Sequence, residues 1–293
     1  MNTAQDLAEP LSLKGLLDEA LRSARRHLRG LYVAFAVPLA LVGGAIPLAQ
    51  IAFSPRGASG PGAAASQVLV SLAVGFVAGL FYGFAYAAML IAATHAVAGR
   101  EVSAAHAWAA VFDPRLILTQ LLVSLVTVVG LVFCILPGLY VSLILTAVIP
   151  VIAHEGRYGV GAMRRSAALM SHNPRHSFSA DPRVRAFLLL FAGGLIGYAA
   201  SFIVQLPLSF VMMALMFRAV ASGEQPDPEA IMQQLIWLQV PSNMLGMLVQ
   251  TLVFLYMAFG VALLYFDVRR RKEGDDLLAA ADRLARRAEP APR

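Results

Sequence analysis

The sequence predicts an all-α protein, a six-pass transmembrane helical bundle with interfacial amphipathic helices arranged as three helix-plus-hairpin units. Three observations carry this. Hydrophobic residues make up 59% of the 293-residue chain and charged residues only 14%, with a mean hydropathy of +0.70, whereas soluble domains carry roughly 25% charge. Six apolar stretches approach the ~20 residues that cross about 30 Å of hydrocarbon. All but two of the 23 Lys and Arg residues, Arg56 and Arg218, fall in alternate gaps between those stretches. Loops on one side of a membrane collect positive charge in this way, and the rule puts both termini in the cytoplasm.

The elements follow in order. Residues 1–30 form a cytoplasmic segment with an amphipathic helix over about Leu13–Arg29. Leu13, Leu17, Ala20, Leu21, Ala24 and Leu28 share one face, while Lys14, Asp18, Arg22, Arg25, Arg26 and Arg29 lie largely away from it. Residues 31–266 hold the spans: about Leu31–Phe53, Val68–Ala96, Leu116–Leu136, Leu139–Ile152, Ala186–Met216 and Pro241–Phe266. The first begins too late and runs too long for a cleavable leader and reads as a retained span. Leu136-Pro137-Gly138 ends the third and turns the chain into the fourth, giving a tight hairpin. Further amphipathic helices precede the third and fifth spans, one over about Ser103–Phe112 with Ser103 as its cap. The other covers about Val160–Ser171 and is closed by Asn173-Pro174. Such helices are expected to lie flat, with Arg toward anionic headgroups. Asp227-Pro228-Glu229 starts a short helix between spans five and six, with Ile231, Leu235 and Leu238 on one face and Trp237 nearby. Residues 267–293 form a charged cytoplasmic tail with its own helix over Asp275–Arg287.

Small residues recur four apart at Gly75, Gly79 and Gly83 in span two, and at Gly193, Gly197 and Ser201 in span five. That spacing puts them in one row, where helices approach closely. Packing within the chain is the plain reading, and a homodimer seam the sharper one. Gln205 and Gln250 are the main polar residues inside spans and are expected to face the bundle interior, where each needs a partner.

The catalytic search finds no cofactor, metal or active-site signature. The net charge of +6 follows from membrane topology, and no basic motif with interleaved aromatics points to nucleic acid. His172 and His176 are four apart, but Pro174 between them spoils a metal-binding helix face. The sequence shows no His-Glu-x-x-His, no phosphate-binding Gly-lysine loop and no Gly-x-Ser-x-Gly elbow. Charge gathers in two strings instead. His154-Glu155 is followed by Arg164-Arg165-Ser166, with Arg164 placed to fold back toward Glu155. The last span closes with Tyr265-Phe266-Asp267 and continues through Arg269, Arg271 and Glu273, with Gly274 as a turn.

These strings resemble a bacterial membrane family related to the membrane domain fused to some glycerophosphodiester phosphodiesterases. The residues that carry the resemblance are Leu136-Pro137-Gly138, Pro150, Glu155, Ala162, Arg165-Ser166, Leu169, and the ending Leu264-Tyr265-Phe266-Asp267 with Arg269, Arg271-Lys272-Glu273-Gly274 and Asp276-Leu277. It covers roughly residues 100–278. In the fused enzymes catalysis belongs to a separate soluble barrel, so the resemblance implies a membrane module without the enzyme and carries over no catalytic residue. The expectation is a non-enzymatic scaffold or accessory subunit that meets anionic lipid headgroups and a protein partner or a second copy. A transporter or lipid translocator lined by the glycine-rich spans is the alternative, and a lipid-modifying enzyme using His154 and Glu155 is a third reading.

Overall fold

The computed structural model describes residues 12–53, 61–172, 181–221 and 228–288. Of residues 61, 63, 64, 216, 219, 220, 228–237 and 275–288 it describes the backbone only. Among the described residues the chain is helical and has no strand. In chain order the helices are α1 (Leu13–Phe53), α2 (Pro61–Val97), α3 (Ala104–Val111), α4 (Pro114–Phe133), α5 (Ile135–Leu145), α6 (Val148–Glu155), α7 (Gly159–Met170), α8 (Pro182–Ala221) and α9 (Pro228–Ala288). Six helical segments are long and apolar enough to cross a membrane.

Local chemistry sets the short elements. Ser103 caps α3 by accepting the His106 N–H at 3.3 Å, as expected. Asp113 caps α4 by accepting the Arg115 N–H at 2.8 Å, with Pro114 in the first turn, where its missing donor costs nothing. α6 ends at Gly156, whose φ of +66° suits a residue without Cβ.

Four sequence expectations are corrected. The turn between α4 and α5 falls at Cys134, which is fully extended at φ −172° and ψ 144°. Leu136-Pro137-Gly138 therefore lies in the first turn of α5, because proline is tolerated at a helix start and begins the second helix rather than ending the first. The fourth span is not one helix: it breaks at Thr146-Ala147 into α5 and α6. The amphipathic segment at 13–29 is not a separate flat helix but the first turns of the 41-residue α1. Gly30 alone costs a helix only about 1 kcal/mol and does not break it. Likewise α9 runs unbroken for 61 residues through Pro241 and Gly274, so the short outer helix, the last span and the tail helix are one element. The boundaries expected at 30 and 266 thus fall inside helices. Only the second and third units keep a distinct short helix, α3 and α7. Asn173-Pro174, His176 and the Asp227 cap lie outside the described residues, as do the side chains of Ile231, Leu235, Trp237 and the tail beyond 274.

The chain forms two compact units. Unit 1 comprises Met1–Arg26, Leu90–Phe191 and Tyr256–Arg293. Its core gathers Leu16, Met170, Leu189, Phe259, Leu264 and Tyr265, all essentially inaccessible. Here α7 packs on α4, α5 and α6, and α4 packs on α5. That hairpin closes through glycine: a Cβ on Gly130 would sit 3.0 Å from the Gly138 Cα, and one on Gly138 would meet the Leu131 backbone N at 2.6 Å. Unit 2 comprises His27–Met89 and Ala192–Leu255. In it Gly43 and Gly44 lie against Met247 and Met244, where an added Cβ would come within 2.5 and 2.7 Å of the methionine Cγ atoms. The Tyr32 hydroxyl donates to the Leu248 carbonyl at 3.0 Å.

A candidate functional site: the ionic platform of unit 1

The charged strings that stand far apart in sequence meet in unit 1. Glu155, the last residue of α6, accepts the Arg165 Nε–H on both carboxylate oxygens at 3.0 Å. The Tyr265 hydroxyl donates to Glu155 Oε1 at 2.9 Å, and Arg157 stands 3.3 Å from Oε2. Arg165 continues to Glu273, its Nη2 donating to Oε1 at 2.6 Å. Glu273 also accepts from Arg269 Nε at 2.9 and 3.0 Å, one helical turn earlier on α9. Arg165 thus bridges carboxylates on two different helices, one of them 108 residues further along the chain. Burial works against its charge, but the hydrogen bonds to Glu155 and Glu273 outweigh that and hold the guanidinium above its usual range.

Two further groups complete the platform. Lys272 donates its ammonium hydrogens to the Ala168 carbonyl, the Ser171 carbonyl and the Ser171 hydroxyl, at 2.5, 3.0 and 2.7 Å. A cation there meets the carbonyls that α7 leaves unpaired at its end. The Ser166 hydroxyl donates to the Ile144 carbonyl at 2.6 Å, serving a carbonyl close to the α5–α6 break. Arg185 of α8 and Asp267 of α9 form a deeply buried pair at 2.7 Å, with side chains 5% and 4% exposed. Arg271 donates to the same Asp267 oxygen at 2.9 Å.

Asp181 anchors the start of α8. It accepts the Arg183 N–H at 2.8 Å, and the His172 Nδ1 lies 2.6 Å from its Oδ2. Burial alone would raise its carboxyl, but the hydrogen bonds from Arg183 and His172 prevail and hold it below the usual carboxylate range. Arg183 also donates to the Tyr140 hydroxyl at 3.0 Å, tying α8 to α5.

Glu155, Arg165, Asp267, Arg269, Arg271 and Glu273 were expected to form polar clusters at one face, and the structure joins them into two networks. Arg164 is the exception: it is exposed, and its neighbour Arg165 folds back onto Glu155 instead. Helical phase decides this, because Arg165 lies on the side of α7 that also carries buried Ala162, Ser166 and Leu169. Sequence reasoning missed Tyr265 as a ligand of Glu155, Lys272 as the α7 cap, and Asp181. Tyr265, Arg269 and Glu273 are spaced four apart, which was the available signal.

The glycine rows fare differently. Among the described residues a Cβ added to Gly75, Gly79 or Gly83 would meet nothing within 4 Å, so this row packs on none of them. In α8, Gly193 and Gly197 are buried, and Gly197 lies against Gln250, whose side-chain atoms would come within 3.0–3.1 Å of an added Cβ. Gln250 accepts a hydrogen bond from Ser201 at 3.3 Å, as a polar residue inside a span requires. Gln205 is exposed rather than turned inward. Among the described residues no group of three or more His, Cys, Asp or Glu side chains could hold a metal ion.

Six apolar helical segments and charge drawn into terminal networks define a multi-pass integral membrane protein. In comparisons with known protein families, with curated proteins and with solved structures, nothing matches the chain.

Proposed function

We propose that the protein is a non-enzymatic scaffold or accessory subunit of a bacterial inner membrane, with both termini cytoplasmic. Its ionic platform presents a braced, charged face to a soluble partner and to anionic lipid headgroups. The observation that carries this reading is how the platform's carboxylates are engaged. Glu155 is held by two guanidiniums and a phenol, and Glu273 by two guanidiniums. Carboxylates held this way fix the positions of the helices that carry their partners. From this platform α9 continues as helix to Ala288, giving a partner a rigid arm to grip. Arg157 and Arg164 stand outward beside it, where cations favour an anionic leaflet surface.

The residues that interlock here (Glu155, Arg165, Ser166, Tyr265, Asp267, Arg269 and Glu273) are among those that carry the resemblance to the membrane domain of glycerophosphodiester phosphodiesterases. That supports reading the chain as a membrane module of the same kind. The test is affinity purification of the full chain and of a chain ending at Gly274 from mild detergent. The reading expects a defined partner on the full chain that is lost from the truncated one, with equal melting temperatures. A partner-free full chain that moves a solute across liposome membranes would refute it in favour of a transporter.

A further inference from the structure

We infer that unit 2 contains a binding groove for one acyl chain of a membrane lipid, lying between α1 and α2. The groove has a volume of about 660 Å³ and is lined only by hydrocarbon side chains, from residues 42–53 of α1 and 70–81 of α2. Ala45 and Ala49 on α1 and Ala73 and Ala78 on α2 give it width, while Phe53 and Phe81 mark its ends along the two helices.

Three properties select the occupant. The lining offers no donor or acceptor, so a headgroup or polar solute entering it would lose its hydrogen bonds without replacement. The volume falls within the roughly 300–1,000 Å³ of small-ligand sites. Each lining stretch is about 16 Å long at ~1.5 Å per residue, about half of a ~30 Å hydrocarbon layer. A groove one leaflet deep in two membrane-spanning helices matches a single acyl chain in length and chemistry. A chain in the groove touches protein on two sides and gains more dispersion contacts than one lying on a convex helix surface.

The full-length protein is reconstituted in phosphatidylcholine vesicles containing a phosphatidylcholine whose acyl chain carries a diazirine. After illumination the adducts are mapped by peptide mass spectrometry. Adducts should concentrate at 42–53 and 70–81 over the exposed apolar surface of α4 at Leu118, Leu121 and Leu125. Filling the groove with Ala45→Phe and Ala73→Phe should cut them about tenfold, the effect of ~1.4 kcal/mol of lost affinity, while Leu72→Phe on the exposed face leaves them unchanged. Adducts spread evenly over all exposed apolar surface in the unmodified protein would overturn the assignment, whatever the variants do. So would a groove left unlabelled while the surrounding apolar surface is labelled, as expected if a second copy of the chain covered it.

Discussion

Arg165 and its neighbour Arg164 differ in nothing that composition can see, yet the structure gives them unequal weight. Replacing Arg165 with Ala removes both hydrogen bonds to Glu155 and the 2.6 Å bond to Glu273. Glu155, whose side chain is only 9% exposed, is left with Tyr265 and with Arg157, which is 59% exposed and screened by water. Removing one partner of a buried pair costs about 3–5 kcal/mol. The Arg165 side chain is 23% exposed, so about 2–3 kcal/mol is expected. Arg164→Ala, on the exposed side of α7, should stay within about 0.5 kcal/mol. Chemical denaturation in detergent micelles measures both, and a double-mutant cycle with Glu155→Gln should return a coupling of about 1–3 kcal/mol for Arg165 and about zero for Arg164. Equal losses for the two arginines, or no coupling between Arg165 and Glu155, would refute the claim that this network holds α6, α7 and α9 together.

Four further outcomes are expected. Gly138→Ala should destabilise the protein by about 1–3 kcal/mol, because the new Cβ meets the Leu131 backbone; Gly75→Ala, which meets nothing, should be neutral in the same melt. Asp267→Ala should cost about 3–5 kcal/mol by stranding buried Arg185, and a joint Asp267→Leu, Arg185→Met replacement should recover much of it. Because the hydrogen bonds from Arg183 and His172 hold the Asp181 carboxyl below the usual carboxylate range, its contribution is complete above that range and is lost as pH falls through the lower folded value; wild type should lose its stability margin over Asp181→Asn as melts are taken from pH 6 to below about 4. Cys134, exposed at the α4–α5 turn, should react with a membrane-impermeant maleimide from the side opposite the ionic platform. Reaction only after detergent would mean that the hairpin stops short of that surface.

The sequence made the spans legible because membrane helices must satisfy every backbone group internally, so long apolar runs have few other uses. The helix joints were less legible. Gly30, Pro241 and Gly274 carry the signals that end helices in water, but α1 and α9 pass through all of them. Gly30 and Gly274 lie outside the apolar stretches, where one glycine costs a helix only about 1 kcal/mol; Pro241 opens a span, where the alternative to continuing is unpaired backbone in hydrocarbon. Close approaches were misread for a related reason. A Gly-x-x-x-Gly row shows where contact is permitted, not where a partner lies. The contacts that form use Gly43, Gly44, Gly130, Gly138 and Gly260, and only Gly197 among the flagged glycines has its close neighbours described.

The charged end of α9 explains why unit 1 places its polar interactions here. Tyr265, Arg269 and Glu273 recur every four residues and face α6 and α7 through Glu155 and Arg165. Asp267 and Arg271 form a second row of the same spacing that meets Arg185 of α8. A two-residue offset is about 200° around a helix of 3.6 residues per turn, so the two rows lie on nearly opposite sides and α9 is clamped between α7 and α8. Apolar helix faces slide past one another at little cost in hydrocarbon, because lipid competes equally for the same surface. Two ionic rows on opposite sides of one helix remove that freedom. A shift of α9 by a single residue would part Glu273 from Arg165 and Asp267 from Arg185 at once, leaving the deeply buried Arg185 and Asp267 without each other. The platform therefore sets the register of α9, and through it the position of the arm that continues to Ala288.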